Sequence, residues 1–246
     1  MDVTFLGTGS AMPVPDRAQT GVLVEADDRT LLIDCGAGVL GRLSATDVGY
    51  EGVSTVLLTH HHLDHVSDLL ALVKARWLAG KEHLQVVGPS GTKGLVDDLL
   101  DVHEYLDGRV DLPVREVHPG EFSVAGMDVR ARETRHSMPC LAYRFGDRFA
   151  FSGDSEAFEG LAAFADGVAA FAHDCSFPDA VDVDNHPTPT SLGQALAGHE
   201  YGRVYLTHLY PHTEGNHEAM RSSVGRHYDG EVRLATDGTT VSIDAA

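Results

Sequence analysis

The chain has 246 residues, of which 43% are hydrophobic, so it can bury a large core without disulfide bonds. Charged residues make up 22% of the sequence, a composition that excludes a disordered tail protein, a collagen-like repeat and a coiled coil. The net charge of -19 is opposite in sign to that of generic polyanion binders, which hold phosphates with lysine and arginine.

The lysine content, the cysteines and the length of the apolar runs indicate the environment of the protein. Only three of the 18 basic residues are lysines, and an acidic surface this poor in lysine favours a high-salt, halophilic habitat. Cys35, Cys140 and Cys175 are far apart, which favours buried free thiols in a reducing compartment. No apolar run reaches the roughly 18 residues of a membrane helix, and no signal peptide is recognisable at the N-terminus. We therefore expect a cytoplasmic protein with no membrane partner.

Apolar periodicity predicts strands that alternate with short helices along the whole chain. In the first half, strands are predicted at 2–6, 21–25, 30–34, 55–59 and 84–87, and helices at 39–43, 68–77 and 93–105. In the second half, strands are predicted at 122–124, 128–133, 142–145, 148–152, 203–206, 231–234 and 239–243, and helices near 159–164 and 191–198. Because no Pro/Gly/Ser-rich linker divides the halves, we expect one domain over residues 1–246, with two sheets face to face and helices outside.

The strongest functional signal is a histidine cluster directly after the apolar run at 55–59. The segment Thr59-His60-His61-His62-Leu63-Asp64-His65 places four histidines and one aspartate within six positions. In an extended turn His60 and His62 can face one point, and Asp64 and His65 can face a second. Imidazole and carboxylate groups suit Zn²⁺ and related divalent ions. A solvated loop with chance histidines is the alternative.

Further metal ligands must come from later turns. His136 follows the strand predicted at 128–133, Asp154 follows the strand at 148–152 through Gly153, and His208 follows the strand at 203–206. Because each of these residues lies where a strand meets a loop, strands of one sheet edge could bring their side chains together.

The motif His60-x-His62-x-Asp64-His65, followed in order by His136, Asp154 and His208, resembles the dinuclear metallo-β-lactamase superfamily. The segments FLGTGSAMPVPDR, LLIDCG and VVGPSGT resemble its ribonuclease Z-like branch, which includes transfer-RNA 3′ processing enzymes and smaller phosphodiesterases. The resemblance spans essentially the whole chain. It implies an α+β fold, a four-layer αβ/βα sandwich of two mixed β-sheets flanked by helices, with two Zn²⁺ at one edge and Mn²⁺ or Fe²⁺ as alternatives.

The resemblance also implies a role for each candidate residue. It gives the first metal to His60, His62 and His136, the second to Asp64, His65 and His208, and places Asp154 between them. Asp34 matches the family's structural aspartate beneath the metal loop, which supports ligands without binding metal. His61 is expected to be a loop residue only.

Two later segments resemble loops of the same branch. His173-Asp174-Cys175-Ser176-Phe177 resembles its His-Glu-Ala-Thr-Phe loop, and His186-Pro187-Thr188 resembles its His-Ser-Thr loop. By this match His186 protonates the leaving oxygen, Asp174 orients His186, and Asp64 could orient the attacking water. Asp replaces the longer Glu of the family, so we expect a shorter or softer support. The alternative for His186 is a surface histidine ahead of a helix.

The implied chemistry favours a phosphodiester substrate. A hydroxide that bridges two metals can attack phosphorus while the metals neutralise charge on the phosphoryl oxygens. An acid such as His186 matters most for a poor leaving group, for example a sugar hydroxyl. Long transfer-RNA processors carry an RNA-gripping arm between the lone histidine ligand and the bridging aspartate, yet only 17 residues separate His136 from Asp154. The missing arm and the negative charge favour a small-molecule phosphodiester and disfavour RNA.

Several functions stay open at this point. The leading interpretation is a zinc phosphodiesterase that acts on a small or cyclic nucleotide-like phosphodiester. The second is a ribonuclease Z-type transfer-RNA 3′ endonuclease without its own arm, and the third is a lactonase or thioesterase of the same fold, for which His186 would be dispensable. A non-enzymatic relative would bind metal and hydrolyse no ester. Because dimers are common in this branch, the resemblance also implies a homodimer.

Two nearby features are expected to have no direct catalytic role. His212 and His217, which flank the last ligand, are expected to face solvent. Gly7-Thr8-Gly9-Ser10 is expected to be a structural turn, because no Lys-Ser/Thr follows it as in a phosphate-binding loop.

Overall fold

The computed structural model describes residues 1–181 and 183–244. The strands are β1 (Asp2–Gly7), β2 (Gly21–Ala26), β3 (Arg29–Ile33), β4 (Thr55–Leu57), β5 (Gln85–Gly88), β6 (Val114–Glu116), β7 (Gly120–Val124), β8 (Met127–Glu133), β9 (Leu141–Phe145), β10 (Phe149–Phe151), β11 (Ala170–Asp174), β12 (Val204–Thr207), β13 (Val232–Leu234) and β14 (Thr240–Ser242). The helices are α1 (Val39–Leu43), α2 (Gly49–Gly52), α3 (Leu63–Val66), α4 (Leu69–Leu78), α5 (Thr92–Val102), α6 (Glu159–Ala165), α7 (Pro189–Leu196) and α8 (His217–Val224). Short 3₁₀ turns lie at Glu104–Leu106 and Pro211–Thr213.

These strands form two sheets of seven strands each. The first sheet has the order β14-β1-β2-β3-β4-β5-β6, and the second has the order β13-β12-β11-β10-β9-β8-β7. Both sheets are mixed: β14 to β3 and β7 to β10 pair antiparallel, whereas β3 to β6 and β10 to β13 pair parallel. The two halves of the chain therefore build sheets of similar topology.

Side chains that alternate along the strands fill three separate apolar layers. Leu31 and Ile33 of β3 face the layer between the sheets, where Phe5, Tyr143 and Phe151 also lie. Leu32, on the opposite face of β3, packs under α1 and α4, and Phe171 of β11 packs under α6 and α7. Helix, sheet, sheet and helix thus form four layers, and this confirms the α+β sandwich that the sequence predicted.

The sequence pattern missed some elements. Strand β11 was not predicted because its residues, AFAHD, include two alanines and end in two polar residues, although all five are buried. Helix α8 was not predicted because its sequence is mostly polar and only one side of it is buried. The strand predicted at 55–59 is β4, which ends earlier, at Leu57. The helix predicted at 93–105 is α5, which ends earlier, at Val102. In the described part of the chain, no helix is both long and apolar enough to cross a membrane.

A side-chain hydrogen bond joins the two sheets next to the histidine cluster, beside the backbone bond from the Leu141 amide to the Thr59 carbonyl. The hydroxyl of Tyr143, on β9, donates to the carbonyl oxygen of Leu58 at 2.7 Å, and the Tyr143 ring is fully buried. Leu58 directly follows β4, so this bond holds the start of the loop that carries His60. Replacement of the hydroxyl by hydrogen leaves a buried carbonyl without this donor.

We expect Tyr143→Phe to lower the free energy of unfolding by about 1–3 kcal/mol, the usual cost of an unsatisfied buried polar group. Urea denaturation followed by circular dichroism measures this loss. Tyr228→Phe is the matched control, because the Tyr228 hydroxyl makes only a 3.5 Å contact with the carbonyl of Tyr201. Equal losses in the two variants would contradict a special role for the Tyr143 bond.

Candidate metal centre

The candidate ligands lie at the ends of strands along one edge of the sandwich. His60 follows β4, and His62 is the N-cap of α3 with an extended backbone (φ -62°, ψ 148°). Asp64 and His65 belong to the first turn of α3, so the helix turns them towards a different point from His60 and His62. His136 follows β8, Asp154 follows β10, and His208 follows β12. The structure therefore brings all seven predicted ligands to one place.

Four of these side chains converge on a first point. His62 Nδ1 lies 3.0 Å from His60 Nε2 and 3.1 Å from His136 Nε2. Asp154 Oδ2 lies 3.7 Å from His60 Nε2 and 3.9 Å from His136 Nε2. Ligand nitrogens of a tetrahedral zinc ion lie about 3.3 Å apart, given zinc–nitrogen bonds of about 2.0–2.1 Å, so these atoms fit a shared cation.

Three side chains and Asp154 converge on a second point. His208 Nε2 lies 3.0 Å from Asp64 Oδ2, and His65 Nε2 lies 3.8 Å from the same oxygen. Asp154 Oδ1 lies 3.3 Å from His65 Nε2, and Asp154 Oδ2 lies 3.3 Å from His208 Nε2. The Asp154 carboxylate therefore reaches both groups of candidate ligands.

The unpaired atoms of this cluster fit a bound cation. Within residues 1–181 and 183–244, the buried atoms His65 Nε2 and Asp154 Oδ1 have no hydrogen-bond partner, although they lie 3.3 Å apart. Buried polar atoms are rarely left without a partner unless an ion or water completes the site. The donor set of imidazoles and carboxylates is the one that divalent transition metals prefer.

Buried acceptors fix the histidine tautomers. Asp34 Oδ2 lies 2.7 Å from His65 Nδ1 and accepts the Thr59 hydroxyl at 2.7 Å. Because the Thr59 proton goes to Asp34, Thr59 Oγ1 can accept from His60 Nδ1, 3.1 Å away. Both imidazoles thus carry a proton on Nδ1 and turn Nε2 towards the metal points. Asp34 supports ligands and lies behind them, as expected.

The protonation of these groups also favours metal binding. Burial lowers the pKa of His60 well below its usual range and lowers the pKa of His62 and His136 too, so these imidazoles are neutral near pH 7. Burial opposes the charged form of His65, but Asp154 and Asp34 outweigh it and raise the His65 pKa. A cation at Nε2 would replace that proton. Burial also opposes ionisation of Asp154, but His208 and His65 hold its pKa well below the usual range.

The candidate acid lies beside the second group of ligands. His186 Nδ1 lies 2.8 Å from Asp174 Oδ2, and the Asp174 side chain is fully buried at the end of β11. The His186 ring stacks against the His208 ring with a centroid distance of 5.4 Å and an interplanar angle of 15°. Asp174 reaches His186 directly, so the shorter side chain does not weaken this contact.

The remaining residues of the motifs lie outside the cluster. His61 turns away, and its Nε2 lies 2.8 Å from Thr92 Oγ1 at the start of α5. His212 is exposed and His217 is partly exposed, and neither lines the cleft described below. In the turn after β1, the Thr8 carbonyl accepts the amide of Leu209 at 2.9 Å, so this turn packs against the residue that follows His208.

The ligand atoms open into a cleft of about 380 Å³. Its walls include Leu63, Asp64, Asn185, His186 and Tyr210, and the Leu63 side chain on the rim is 77% exposed. The Tyr210 ring stacks on the Phe177 ring with a centroid distance of 4.5 Å and an interplanar angle of 26°. The cleft therefore combines a polar floor with an aromatic wall.

The sequence of this chain matches a known protein family and is similar to several known proteins. The profile of the anti-Pycsar protein Apyc1 family matches residues 1–225. The chain belongs to this family. Relatives of this Apyc1 family member include ribonuclease Z of Mycobacterium avium, 32% identical over 277 aligned positions that cover 100% of this chain and 99% of the relative. Ribonuclease Z of Mycobacterium marinum is 30% identical, with 100% and 99% of the two chains covered.

Solved structures share the fold of this Apyc1 family member. The metallo-β-lactamase fold protein YhfI from Bacillus subtilis has a TM-score of 0.83 and 24% identity, and 98% of each chain is covered. The short form of human tRNase Z has a TM-score of 0.80 and 22% identity, and 100% of each chain is covered. The chain is thus a metal-dependent hydrolase of the ribonuclease Z-like branch of the metallo-β-lactamase superfamily, as its motifs predicted.

The two adjacent histidines His60 and His61 provide a matched test of the ligand set. We expect His60→Ala to lose about one equivalent of bound metal, because it removes a ligand nitrogen, and His61→Ala to keep its full metal content. Elemental analysis after dialysis measures both, and a thermal melt shows that each variant is folded. An equal loss of metal in the two variants would contradict this assignment.

Proposed function

We propose that this chain is a phosphodiesterase that cleaves a small or cyclic nucleotide-like phosphodiester with two zinc ions. The observation that carries the proposal is the pair of His186 and buried Asp174, 2.8 Å apart and directly beside the ligand cluster. A proton donor at this position serves an ester whose leaving oxygen is a poor leaving group, as in a sugar phosphate.

The protonation of His186 suits an acid. Burial opposes its charged form, but Asp174 outweighs this effect and raises the pKa of His186 to about 9, so the ring is protonated near pH 7. Positive charge on bound metals will lower this pKa towards neutrality. His186 also lines the cleft together with Asp64, so it can reach an oxygen of a bound ester.

The ligand atoms described above would hold the two cations, with Asp154 between them. When bound, these cations would supply positive charge for the phosphoryl oxygens and make a water molecule more acidic. Asp64 lies on the cleft wall, and its Oδ2 lies 3.0 Å from His208 Nε2, where the two would share a cation, so its other oxygen can orient the attacking water. His186 would then donate its proton to the leaving oxygen, and Asp174 would stabilise the charged ring before the transfer.

The cleft supports a small substrate. Its volume of about 380 Å³ is of the order of a mononucleotide, at the lower end of small-molecule sites. Tyr210, backed by Phe177, offers an aromatic face on which a nucleobase can stack, an interaction worth about 1–3 kcal/mol per base. The polar side chains of Ser137, Asp184 and Asn185 on the same cleft can bond the edges of a base or a sugar.

Transfer-RNA 3′ processing is the second candidate. Between His136 and Asp154 the chain forms only the β9–β10 hairpin, with Gly146, Asp147 and Arg148 as its turn, so it has no RNA-gripping arm at this point. The alignment with the Mycobacterium avium relative has 277 positions, 31 more than this chain has residues. The relatives are nevertheless named ribonuclease Z, so the comparisons do not support the expectation that RNA is disfavoured.

A lactonase or thioesterase of the same fold is the third candidate, and it would not need His186. Hydrolysis of bis(p-nitrophenyl) phosphate by the zinc-loaded protein separates it from the first two. Cleavage of a cyclic nucleotide or of a transfer-RNA precursor then separates the first from the second. No turnover of any phosphodiester by fully metallated protein would overturn the proposal.

We expect His186→Ala to lower kcat about 10²–10⁴-fold on a cyclic nucleotide, whose leaving group is a sugar hydroxyl. The loss on bis(p-nitrophenyl) phosphate should be much smaller, because p-nitrophenolate leaves without a proton. In the wild type, the acid contribution is present below the pKa of His186 and is lost as pH rises through it. His186→Ala should lack this alkaline decline.

Steady-state rates from pH 6 to 10, with zinc occupancy measured at each pH, test this prediction. Equal losses on the two substrates, or an unchanged alkaline limb in His186→Ala, would remove His186 from the role of acid. His61→Ala is the matched control, because its ring contacts Thr92 and does not line the cleft.

Tyr210 provides a test of nucleobase stacking. We expect Tyr210→Leu to raise KM for a cyclic nucleotide about 5–150-fold, the equivalent of about 1–3 kcal/mol of lost stacking. Tyr210→Phe keeps the ring and should stay close to the wild type. A similar rise in both variants would show that the hydroxyl matters instead of the ring face.

The expected homodimer is a separate prediction, which light scattering on the purified protein tests.

A further inference from the structure

Ser176 connects a metal ligand to the carboxylate that supports the candidate acid. Its hydroxyl donates to Asp174 Oδ1 at 2.6 Å, and His208 Nδ1 lies 2.9 Å from the same hydroxyl oxygen. Because the Ser176 proton goes to Asp174, the oxygen of Ser176 is free to accept the proton of His208 Nδ1. Ser176, Asp174 and His208 are all buried.

The second oxygen of Asp174 serves the other histidine. Asp174 Oδ2 faces His186 Nδ1 at 2.8 Å and also accepts the backbone amide of Ser155 at 3.2 Å. Ser176 Oγ lies 3.2 Å from His186 Nδ1, whereas Asp174 Oδ2 is closer to the same nitrogen, at 2.8 Å. One buried carboxylate therefore accepts three hydrogen bonds, and through them it reaches two imidazoles on different loops.

The same arrangement occurs on the other side of the metal cluster. There Asp34 bonds His65 directly and bonds His60 through the hydroxyl of Thr59. In both places a fully buried aspartate at the end of a strand holds one histidine itself and a second one through a hydroxyl. At Asp34 this arrangement supports two candidate metal ligands, His60 and His65. The similar arrangement at Asp174 therefore points to support of the candidate ligand His208.

We propose that Ser176 is a positioning residue for the second metal. Through Ser176, Asp174 holds His208 in the tautomer that leaves Nε2 unprotonated, and through its other oxygen it holds His186. The side chain that orients the acid thus also sets the metal affinity of His208. This inference rests on the proposed metal ligands and not on the identity of the ester.

Zinc titration of the metal-free protein against a competing chelator tests the proposal. In Ser176→Ala the second equivalent of zinc should bind about 10–100-fold more weakly, the usual effect of a lost hydrogen bond behind a ligand, while the first equivalent stays unchanged. Ser176→Thr keeps a hydroxyl and should restore the affinity. Unchanged affinity in Ser176→Ala, or the same loss in Ser176→Thr, would overturn the proposal.

Ser223→Ala is the matched control, because it removes another buried hydroxyl, one that bonds Asp179 and no metal ligand. Its two zinc affinities should equal those of the wild type. A loss of zinc affinity in Ser223→Ala as large as that in Ser176→Ala would show a general effect of buried hydroxyl removal and would overturn the proposal.

A second readout separates the two tasks of Asp174. In Ser176→Ala the Asp174–His186 pair is intact, so saturating zinc should return kcat to within a few-fold of the wild type. Asp174→Asn should weaken the second zinc and also keep a low kcat on poor leaving groups at saturating zinc. Unchanged zinc affinity in Asp174→Asn would overturn the proposal. Because the titration needs no substrate, its result is independent of whether the enzyme cleaves phosphodiesters.

Discussion

The site depends on two buried carboxylates, Asp34 and Asp174, that accept hydrogen bonds from the Nδ1 side of imidazole rings. Behind the candidate ligands such a bond places the imidazole proton on Nδ1 and leaves Nε2 to face the cluster, whereas the bond from Asp174 to His186 stabilises a protonated ring. Without these acceptors, burial would leave the rings free to rotate or to carry their proton on the wrong atom. The candidate metal ligands are thus held on their Nδ1 side by these two carboxylates, directly or through a hydroxyl.

The sandwich places these carboxylates through the register of parallel strands. Ile33 of β3 pairs with Leu57 of β4, so Asp34 lies beside the residues that lead to His60. Asp174 of β11 pairs with Thr207 of β12, one residue before His208. Because parallel strands end at the same edge, each aspartate comes next to the loop that it supports. Two mixed sheets of similar topology therefore produce two similar supports.

The proposed function gives the metal cluster and the cleft wall separate tasks. The cluster, with Asp154 between two groups of candidate ligands, would provide the hydrolytic centre. In the same proposal, selection of the ester falls to the residues around the cluster: His186 as the proton donor, Tyr210 with Phe177 as the aromatic wall, and the short hairpin at Gly146 in place of an arm.

The sequence by itself determined most of the strands, the packing of two sheets with helices outside and the histidine motif, because these depend on local periodicity and on residues within a few positions of each other. It did not predict β11, whose alanines carry little strand signal, although this strand ends at Asp174. Only the tertiary structure decided that Ser176 bonds His208, 32 positions away, and that the shorter Asp174 reaches His186. Such bonds depend on strand register and on distances of a few tenths of an ångström, which sequence spacing does not specify.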